Sequence, residues 1–510
     1  MKPQVELKQG QLADNVDRTW AALVDPSGAV VPSMMVRGSE LVRYTERGEL
    51  EPYGSVSLTD YLSRTIEFVK LIENDEEDEP AKKLCDPPRT IAEVLINRDS
   101  VEYVDAPRVD QVVDTPVLGS SGAVIDTPGY HPDDRLLYIP ADALAGVEAG
   151  SVETVFDIKE AHDFLMDELL GDFGFEDEAS KANALALLLT PFVREYIGDS
   201  PTPLFLIVAP EVGTGKSLLA QAALLPGCGL VPLSAETKNE EEQRKRITAS
   251  LLSGVRAVVL DNISGSVTSN VLAGAITSGV WTDRMLGESK QLVLPIRNVW
   301  VATGNNLDLA DDAMRRSVPI VLDPGDVRPS DRSKAQFRHQ DLLGWAKTNR
   351  AGLVKAALTL IRHWTEGEAF LNGHFFQRVD ERRSSDRTLG SFERWGEVVG
   401  GILAAVDVHC FLANREQVGG FNNERKETAD FLAAWHELKL EPVTSRGLLD
   451  HCKIASGGKL YDVLPEVLQH DRLDARGLGT WLRGKKEARY DGLRVVADRQ
   501  HRGAVLWSVE

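Results

Sequence analysis

The feature that most constrains this chain is an apolar run that leads into a glycine-rich segment and then a helix. The run Leu204–Ala209 is typical of a parallel strand buried on both faces, and no helix breaker follows Ser217 until Pro226. Between such a strand and helix, glycines let backbone N–H groups approach phosphates, a lysine neutralises their charge, and a hydroxyl ligates Mg²⁺. The segment therefore predicts a phosphate-binding loop formed by Gly213, Thr214, Gly215, Lys216 and Ser217.

Composition places the chain among folded proteins of several domains. It has 510 residues, of which 43% are hydrophobic and 26% are charged. Four scattered cysteines without a Cys-x-x-Cys pair are typical of reduced thiols in a cytosol. The longest apolar stretches, such as 182–193, are too short to span a bilayer. We expect a soluble, cytoplasmic protein with no membrane partner.

Charge is distributed unevenly along the chain. The formal net charge of -21 argues against non-specific binding to nucleic acid, since phosphates repel an acidic protein. Residues 151–200 contain twelve acidic and three basic side chains, whereas residues 472–502 contain nine basic and four acidic ones. A cationic contact face can therefore exist on an acidic body.

Turn signals and changes in periodicity predict five segments. Residues 1–150 are expected to form a mixed α/β accessory domain of unknown role, and residues 151–200 an acidic helical collar. For the collar, core packing within one chain is an equally good explanation. Residues 201–330 are predicted to be the α/β core around the phosphate-binding loop, residues 331–440 a helical domain, and residues 441–510 a domain that resembles a winged helix.

The core segment contains four apolar runs that predict the strands of a parallel sheet. A helical segment, 239–252, lies between the first two of them. In α/β sheets ligands bind at the carboxyl ends of the strands, so the chemistry is expected to collect there. The predicted strands are Leu204–Ala209, Ala257–Leu260, Val299–Thr303 and Val318–Leu322.

Polar residues at the ends of the later strands supply the other groups that nucleotide hydrolysis needs. Asp261 ends the second predicted strand, where a carboxylate can hold the hydration shell of Mg²⁺. Asn305 and Asn306 follow the third strand, and either amide can hydrogen-bond the γ-phosphate and the attacking water. Arg315 and Arg316 precede the fourth strand and suit an arginine finger that reaches a neighbouring subunit. The alternative for the arginines is a surface pair bound to local carboxylates.

The C-terminal segment carries the basic charge. Helical stretches at 464–470 and 475–486 precede two short strands, 493–497 and 504–509, with a basic turn between the strands. This order predicts a winged helix whose second helix reads a DNA groove through Arg483, Lys485 and Lys486. A winged helix that docks protein is the alternative.

With these residues assembled, the chain resembles AAA+ ATPases, more narrowly superfamily 3 helicases and the primase-helicase proteins of phages and plasmids. The resemblance covers about residues 180–410. It implies ATP and Mg²⁺ as cofactors, a sensor role for Asn305 and a finger role for Arg315 or Arg316. Residues 272–290 look like the segment that gives those helicases a DNA-contacting hairpin, which implies that Arg284 and Lys290 touch the phosphate backbone.

One position departs from the pattern of these ATPases. Most of them carry the acid that activates water where this chain has Asn262. Either Asn262 only orients the water, or an acid of the segment 240–242 supplies the base.

The expected function is that of an ATP-driven DNA helicase or translocase that forms a homo-hexameric ring. It is expected to act on single- or double-stranded DNA, with other replication proteins, in the replication of a phage, plasmid or integrated element. Two alternatives remain open. The first is an AAA+ protein remodeller or nucleotide-dependent switch whose partner is protein, which the net charge and Asn262 favour. The second is a nucleotide-bound structural or origin-recognition factor with negligible turnover.

Overall fold

The computed structural model describes the chain except for residues 1, 24–31, 47, 73–80, 99–105, 148–154, 210–212, 236, 238, 264–265, 268–269, 285–290, 306–307, 310–314, 324–336, 366–388, 416–422, 454–457, 466–467, 469–472, 487–488, 491–492 and 502–503. In the described parts it is a mixed α/β fold, as the sequence predicts. No helix of these parts is both long and apolar enough to cross a bilayer.

The N-terminal region, which runs to residue 144, consists of small sheets with three helices. Parallel and antiparallel pairing gives the strand orders β1-β5-β6, β2-β3-β4 and β10-β11-β7, with β8 and β9 as a separate pair. The helices pack against the first of these sheets around Val16, Leu58, Phe68 and Leu95. The elements are β1 (Gln4–Leu7), α1 (Leu12–Leu23), β2 (Met35–Arg37), β3 (Glu40–Tyr44), β4 (Leu50–Pro52), α2 (Ser55–Thr65), β5 (Glu67–Ile72), β6 (Ala81–Cys85), α3 (Arg89–Asn97), β7 (Gln111–Val113), β8 (Val117–Leu118), β9 (Val124–Ile125), β10 (Gly129–His131), β11 (Leu136–Tyr138) and a 3₁₀ turn, Asp142–Leu144.

A five-stranded parallel sheet forms the centre of the molecule, with the order β13-β14-β18-β12-β20. The elements of this region are α4 (Val155–Asp163), a π-helical turn (Phe164–Leu169), α5 (Glu178–Ile197), β12 (Leu204–Ala209), α6 (Lys216–Cys228), β13 (Leu233–Ala235), α7 (Glu240–Ser253), β14 (Ala257–Ile263), β15 (Ser266–Val267), α8 (Asn270–Thr277), β16 (Val280–Arg284), β17 (Gln291–Pro295), β18 (Val299–Asn305), β19 (Asp308–Leu309) and β20 (Ser317–Val321).

The four predicted strands are present, with β12 at the predicted bounds and the others within three residues of them. The sequence did not predict β13, which is three residues long and has no buried side chain. Helix α7 follows the predicted segment closely, because the Asn239 side chain caps its N-terminus by accepting from two backbone N–H groups.

Helices cover the sheet and share one apolar core with it. This core contains most of α5, and Leu118 and Leu144 of the preceding region belong to it as well. Packing within one chain thus buries most of α5, and the collar stays a prediction. The next helices described after the sheet are α9 (Leu342–Thr348), α10 (Arg350–Thr365) and α11 (Glu393–Ala405). Leu358 of α10 and Trp395 of α11 belong to the same core.

The C-terminal region has a separate apolar core that includes Phe431, Trp435, Leu478 and Trp507. A sheet of order β21-β24-β23-β22 packs with three helices. The predicted second helix and both predicted strands are present, although β23 extends to His501. Most of the predicted helical stretch 464–470 lies outside the described residues. The elements are α12 (Asn423–Glu437), β21 (Val443–Thr444), α13 (Ser445–His451), α14 (Ala475–Lys485), β22 (Arg489–Tyr490), β23 (Leu493–His501) and β24 (Ala504–Val509).

Candidate active site

Gly213, Thr214 and Gly215 lie directly before helix α6, on the side where the interior strand β12 ends. Gly213 and Gly215 have φ angles of 85° and 92°, a region that glycine enters without steric cost. Gly215 caps α6, and a Cβ built on it would lie 3.4 Å from a ring carbon of Phe173. The loop backbone therefore depends on both glycines. Pro210 lies outside the described residues.

Lys216 is the first residue of α6, and only 7% of its surface is exposed. Its ammonium group donates to the Thr214 hydroxyl at 3.2 Å. Burial lowers the pKa of Lys216, and the charge of Asp261 partly opposes this shift. A buried ammonium group at the positive end of a helix dipole favours a bound anion.

The carboxylate of Asp261 connects the loop to two strands. Its Oδ1 accepts hydrogen bonds from the Ser217 hydroxyl at 2.6 Å and from the Thr303 hydroxyl at 2.7 Å. Ser217 belongs to α6, Asp261 to β14 and Thr303 to β18, so three segments distant in sequence meet at one oxygen atom. The structure thus brings together two of the predicted site residues, Ser217 and Asp261.

Thr303 is a site residue that reasoning from the sequence missed. It is 1% exposed, and its hydroxyl accepts the N–H of Asn262 at 2.9 Å while donating to Asp261. The sequence did contain a signal, a hydroxyl at the end of an otherwise apolar run, two residues before Asn305.

Asn262 adopts an unusual backbone conformation, with φ of 55°. Asparagine tolerates this left-handed region better than most residues. The pairing of β14 with β18 shifts register between Leu260 and Ile263, and the side chain of Asn262 is exposed. Of the alternative acids, Glu241 pairs with Lys245 and Glu242 with Arg246 along α7.

The strand order of the sheet determines the position of Asn305, the polar residue at the end of β18. Strand β18 is between β12 and β14, so its last residue, Asn305, lies between the loop and the strand that carries Asp261. The backbone of Asn305 is in register with Ala209. Asn306 lies outside the described residues.

The two arginines before β20 differ in their surroundings. Arg315 is exposed, whereas Arg316 is half-buried and donates to the carbonyl oxygen of Ala273 in α8 at 3.1 Å. The carbonyl oxygen of Arg315 in turn accepts a hydrogen bond from Arg415 at 3.4 Å.

A cavity of about 540 Å³ lies beside Phe173, whose ring is close to Gly215 of the loop. Phe173 and Phe175 line it with their ring centroids 6.3 Å apart. The charged residues of the lining are two basic ones, Lys181 and Arg338, and four acidic ones, Asp167, Glu176, Asp177 and Glu178. The cavity therefore combines two aromatic rings with a largely polar wall that carries more acidic than basic side chains.

The side chains at the loop fit a Mg²⁺-nucleotide complex. Mg²⁺ prefers oxygen ligands and usually takes one or two carboxylates together with substrate phosphates and water. Ser217 and Asp261 provide one hydroxyl and one carboxylate 2.6 Å apart. Within the described ranges, no group of three or more His, Cys, Asp or Glu side chains is arranged to hold a metal ion by itself.

The predicted hairpin is the antiparallel pair β16 and β17. Arg284 is the last residue of β16 and is exposed, whereas Lys290 lies outside the described residues. The preceding Asp283 accepts from Arg244 at 2.9 Å and from the Thr248 hydroxyl at 2.6 Å, which attaches the hairpin to α7.

The three predicted cations of the C-terminal region lie at the end of α14. Arg483 is exposed and donates to the carbonyl oxygen of Gly479 at 3.0 Å. Lys485 is half-buried, with its ammonium 6.0 Å from the ring centroids of Trp481 and Tyr490. Lys486, directly after the helix, is exposed.

Comparison with solved structures returns helicases at low similarity. JCV helicase is 14% identical, with 51% of this chain and 72% of that chain covered and a TM-score of 0.22; its complex with a thiazolopyridine-phenoxyphenyl acetamide gives 15% identity and the same coverage and score. The active helicase Cch of SCCmec type IV is 10% identical over 77% of this chain and 72% of that chain, with a TM-score of 0.29. TM-scores of this size are too low to establish a common fold. No protein-family model and no curated protein matches the chain.

Proposed function

We propose that this protein is an ATP-dependent DNA helicase or translocase that works as a homo-hexameric ring in the replication of a mobile genetic element. The observation that carries the proposal is the 2.6 Å hydrogen bond between Ser217 and Asp261, beside the buried Lys216. Such a triad of ammonium, hydroxyl and carboxylate at a helix N-terminus suits a Mg²⁺-bound triphosphate.

The loop and its surroundings divide the work of binding ATP. Backbone N–H groups from Gly213 to Ser217 and the Lys216 ammonium bind phosphate, while Ser217 and Asp261 hold Mg²⁺. The cavity beside Phe173 takes the base, because the ring is close to the loop and offers an apolar face.

Hydrolysis also requires a group that positions the attacking water and a positive charge from outside the loop. We assign Asn305 to the γ-phosphate and the attacking water, since its backbone lies between the loop and the strand of Asp261. Of the two arginines we assign the finger role to Arg315, because it is the more exposed. A finger reaches a neighbouring protomer, which is why the proposal includes a ring.

DNA is proposed to contact two basic elements. Arg284 on the hairpin lines the channel, and Arg483, Lys485 and Lys486 form a second contact on the C-terminal region. A few cations per subunit, repeated around a ring, give a positive channel despite the net charge of -21.

The proposal is tested by measuring phosphate release from ATP with and without a single-stranded DNA oligonucleotide. We expect hydrolysis that the oligonucleotide stimulates, together with a nucleotide-dependent ring in size measurements. The net charge favours a second candidate, a remodeller whose partner is protein, for which hydrolysis would be indifferent to DNA. Binding without any turnover would instead indicate a structural factor.

A further inference from the structure

The tight turn between β2 and β3 of the N-terminal region contacts the edge of the hairpin strand β17. The N–H of Ser39 donates to the carbonyl oxygen of Val293 at 3.2 Å, and the N–H of Val293 donates to the Ser39 hydroxyl at 3.3 Å. Gly38 has φ of 56°, and a Cβ built there would overlap the Val293 carbonyl oxygen and lie 2.8 Å from its carbon. Only glycine allows this approach.

The residue before the turn connects it to α7. Arg37 is fully buried, and its Nη1 donates to the carbonyl oxygen of Leu252 in the last turn of α7 at 3.5 Å. Burial lowers the pKa of Arg37 to about 10, against the raising effect of Asp110. A cation is favoured at the negative end of a helix dipole. This contact fixes the turn relative to α7.

The other strand of the hairpin is attached to the same helix. Asp283 of β16 accepts from Arg244 and Thr248, and the indole N–H of Trp281 donates to the Thr248 hydroxyl at 2.9 Å. Helix α7 therefore holds β16, the N-terminal turn holds β17, and Arg37 links the turn to the helix. A two-stranded hairpin is at best marginally stable in water without such support.

We infer that the N-terminal region braces the hairpin, and that Gly38 and Ser39 are positioning residues for the cation Arg284. The brace itself follows from contacts within the chain, whereas its effect on DNA rests on the proposed function. Strands β16 and β17 are paired along their whole length, with Val280 opposite Pro295 and Arg284 opposite Gln291. A displacement of β17 therefore also moves β16 and Arg284. Hairpin, α7 and the N-terminal turn then move as one body.

The test compares two glycine substitutions in the full chain. Gly38→Ala introduces the overlap with Val293, while Gly10→Ala is the matched control, since Gly10 has φ of 72° and nothing lies within 4 Å of the position that its Cβ would take. Both variants carry the cost of alanine in the left-handed region. Hydrogen exchange of the Val293 amide should become about tenfold faster in Gly38→Ala, because the overlap breaks the hydrogen bond that this amide donates to the Ser39 hydroxyl. It should stay at the wild-type rate in Gly10→Ala.

A second pair of measurements separates this inference from the proposed function. DNA-stimulated hydrolysis should fall several-fold in Gly38→Ala while hydrolysis without DNA is unchanged. If Gly38→Ala does not fold, Ser39→Ala, which removes the hydroxyl that accepts from the Val293 N–H and donates to Glu40, should give a smaller shift in the same direction. Unchanged exchange of the Val293 amide in a folded Gly38→Ala or in Ser39→Ala would overturn the brace. Wild-type protein that ignores DNA would contradict the proposed function and leave the exchange result standing.

Discussion

The phosphate-binding loop and the basic end of α14 are both built from polar residues, but they hold them differently. At the loop, Lys216 and Thr303 are 7% and 1% exposed, and hydroxyls from distant segments meet at one carboxylate oxygen. At the end of α14, the cations follow one another along the helix and are exposed or half-buried. Binding at the loop therefore depends on the exact positions of a few side chains, whereas binding at the end of α14 depends on the total positive charge. Single substitutions should therefore have large effects at the loop and small ones on α14.

The largest effect is expected from Arg315, which is exposed. It would be an exception to the rule that large effects come from buried groups. Arg315→Ala should lower the turnover of ATP by about 10³-fold, because a finger neutralises charge that develops only in the transition state. Arg316→Ala is the neighbouring control and should instead lower the free energy of unfolding by about 1 kcal/mol, since it donates to the Ala273 carbonyl. Phosphate release and chemical denaturation measure the two effects. Equal turnover in both variants would contradict the assignment of Arg315.

Lys216→Ala should reduce hydrolysis by about 10²-fold or more, because the buried ammonium is the main positive charge at the loop. The fold should remain, because α6 is anchored in the apolar core through residues such as Leu219 and Leu224. Phosphate release measures the effect, and circular dichroism checks the fold. The control is Lys347→Ala, an exposed lysine on α9. Turnover at the wild-type rate in Lys216→Ala would refute the site.

Thr303→Val tests whether the buried hydroxyl organises Asp261. The substitution leaves the Asn262 N–H without its acceptor and removes one hydrogen bond to the carboxylate, which should cost about 1–3 kcal/mol. We expect the gain in nucleotide affinity that Mg²⁺ provides to shrink about tenfold. Titrating a fluorescent ADP with Mg²⁺ or with a chelator measures that gain without hydrolysis. Thr303→Ser should restore it, and an undiminished gain in the valine variant would exclude the role.

The smallest effect per residue is expected on α14. Replacing Arg483, Lys485 and Lys486 by glutamine should make the salt dependence of duplex DNA binding shallower, by about 0.9 in log–log slope for each phosphate that is no longer neutralised. Fluorescence anisotropy at several salt concentrations measures the slope. The matched control replaces the exposed lysines of β5 and β6, Lys70, Lys82 and Lys83, which changes the net charge equally. An identical slope change in both triple variants would show that only total charge matters.

Much of the central sheet could be predicted because its signals are local. A run of apolar residues, such as Leu204–Ala209, marks a strand buried on both faces wherever it occurs. Strand β13 was missed because its three residues carry no such run. Helix α6 continues through Pro226, which the sequence marked as a breaker, and ends two residues later at Cys228, although the proline removes one backbone hydrogen bond of the helix.

The amino-acid order alone determined which residues could bind phosphate, since glycines, lysine and serine lie within five consecutive positions between a strand and a helix. Tertiary structure decided which residues from distant parts of the chain contact one another. The placing of β18 between β12 and β14 brought Thr303 to Asp261, and Ser39 of the N-terminal turn reached Val293 across 254 positions of the chain. Such contacts depend on strand order and on the docking of distant segments, which no local pattern of residues encodes.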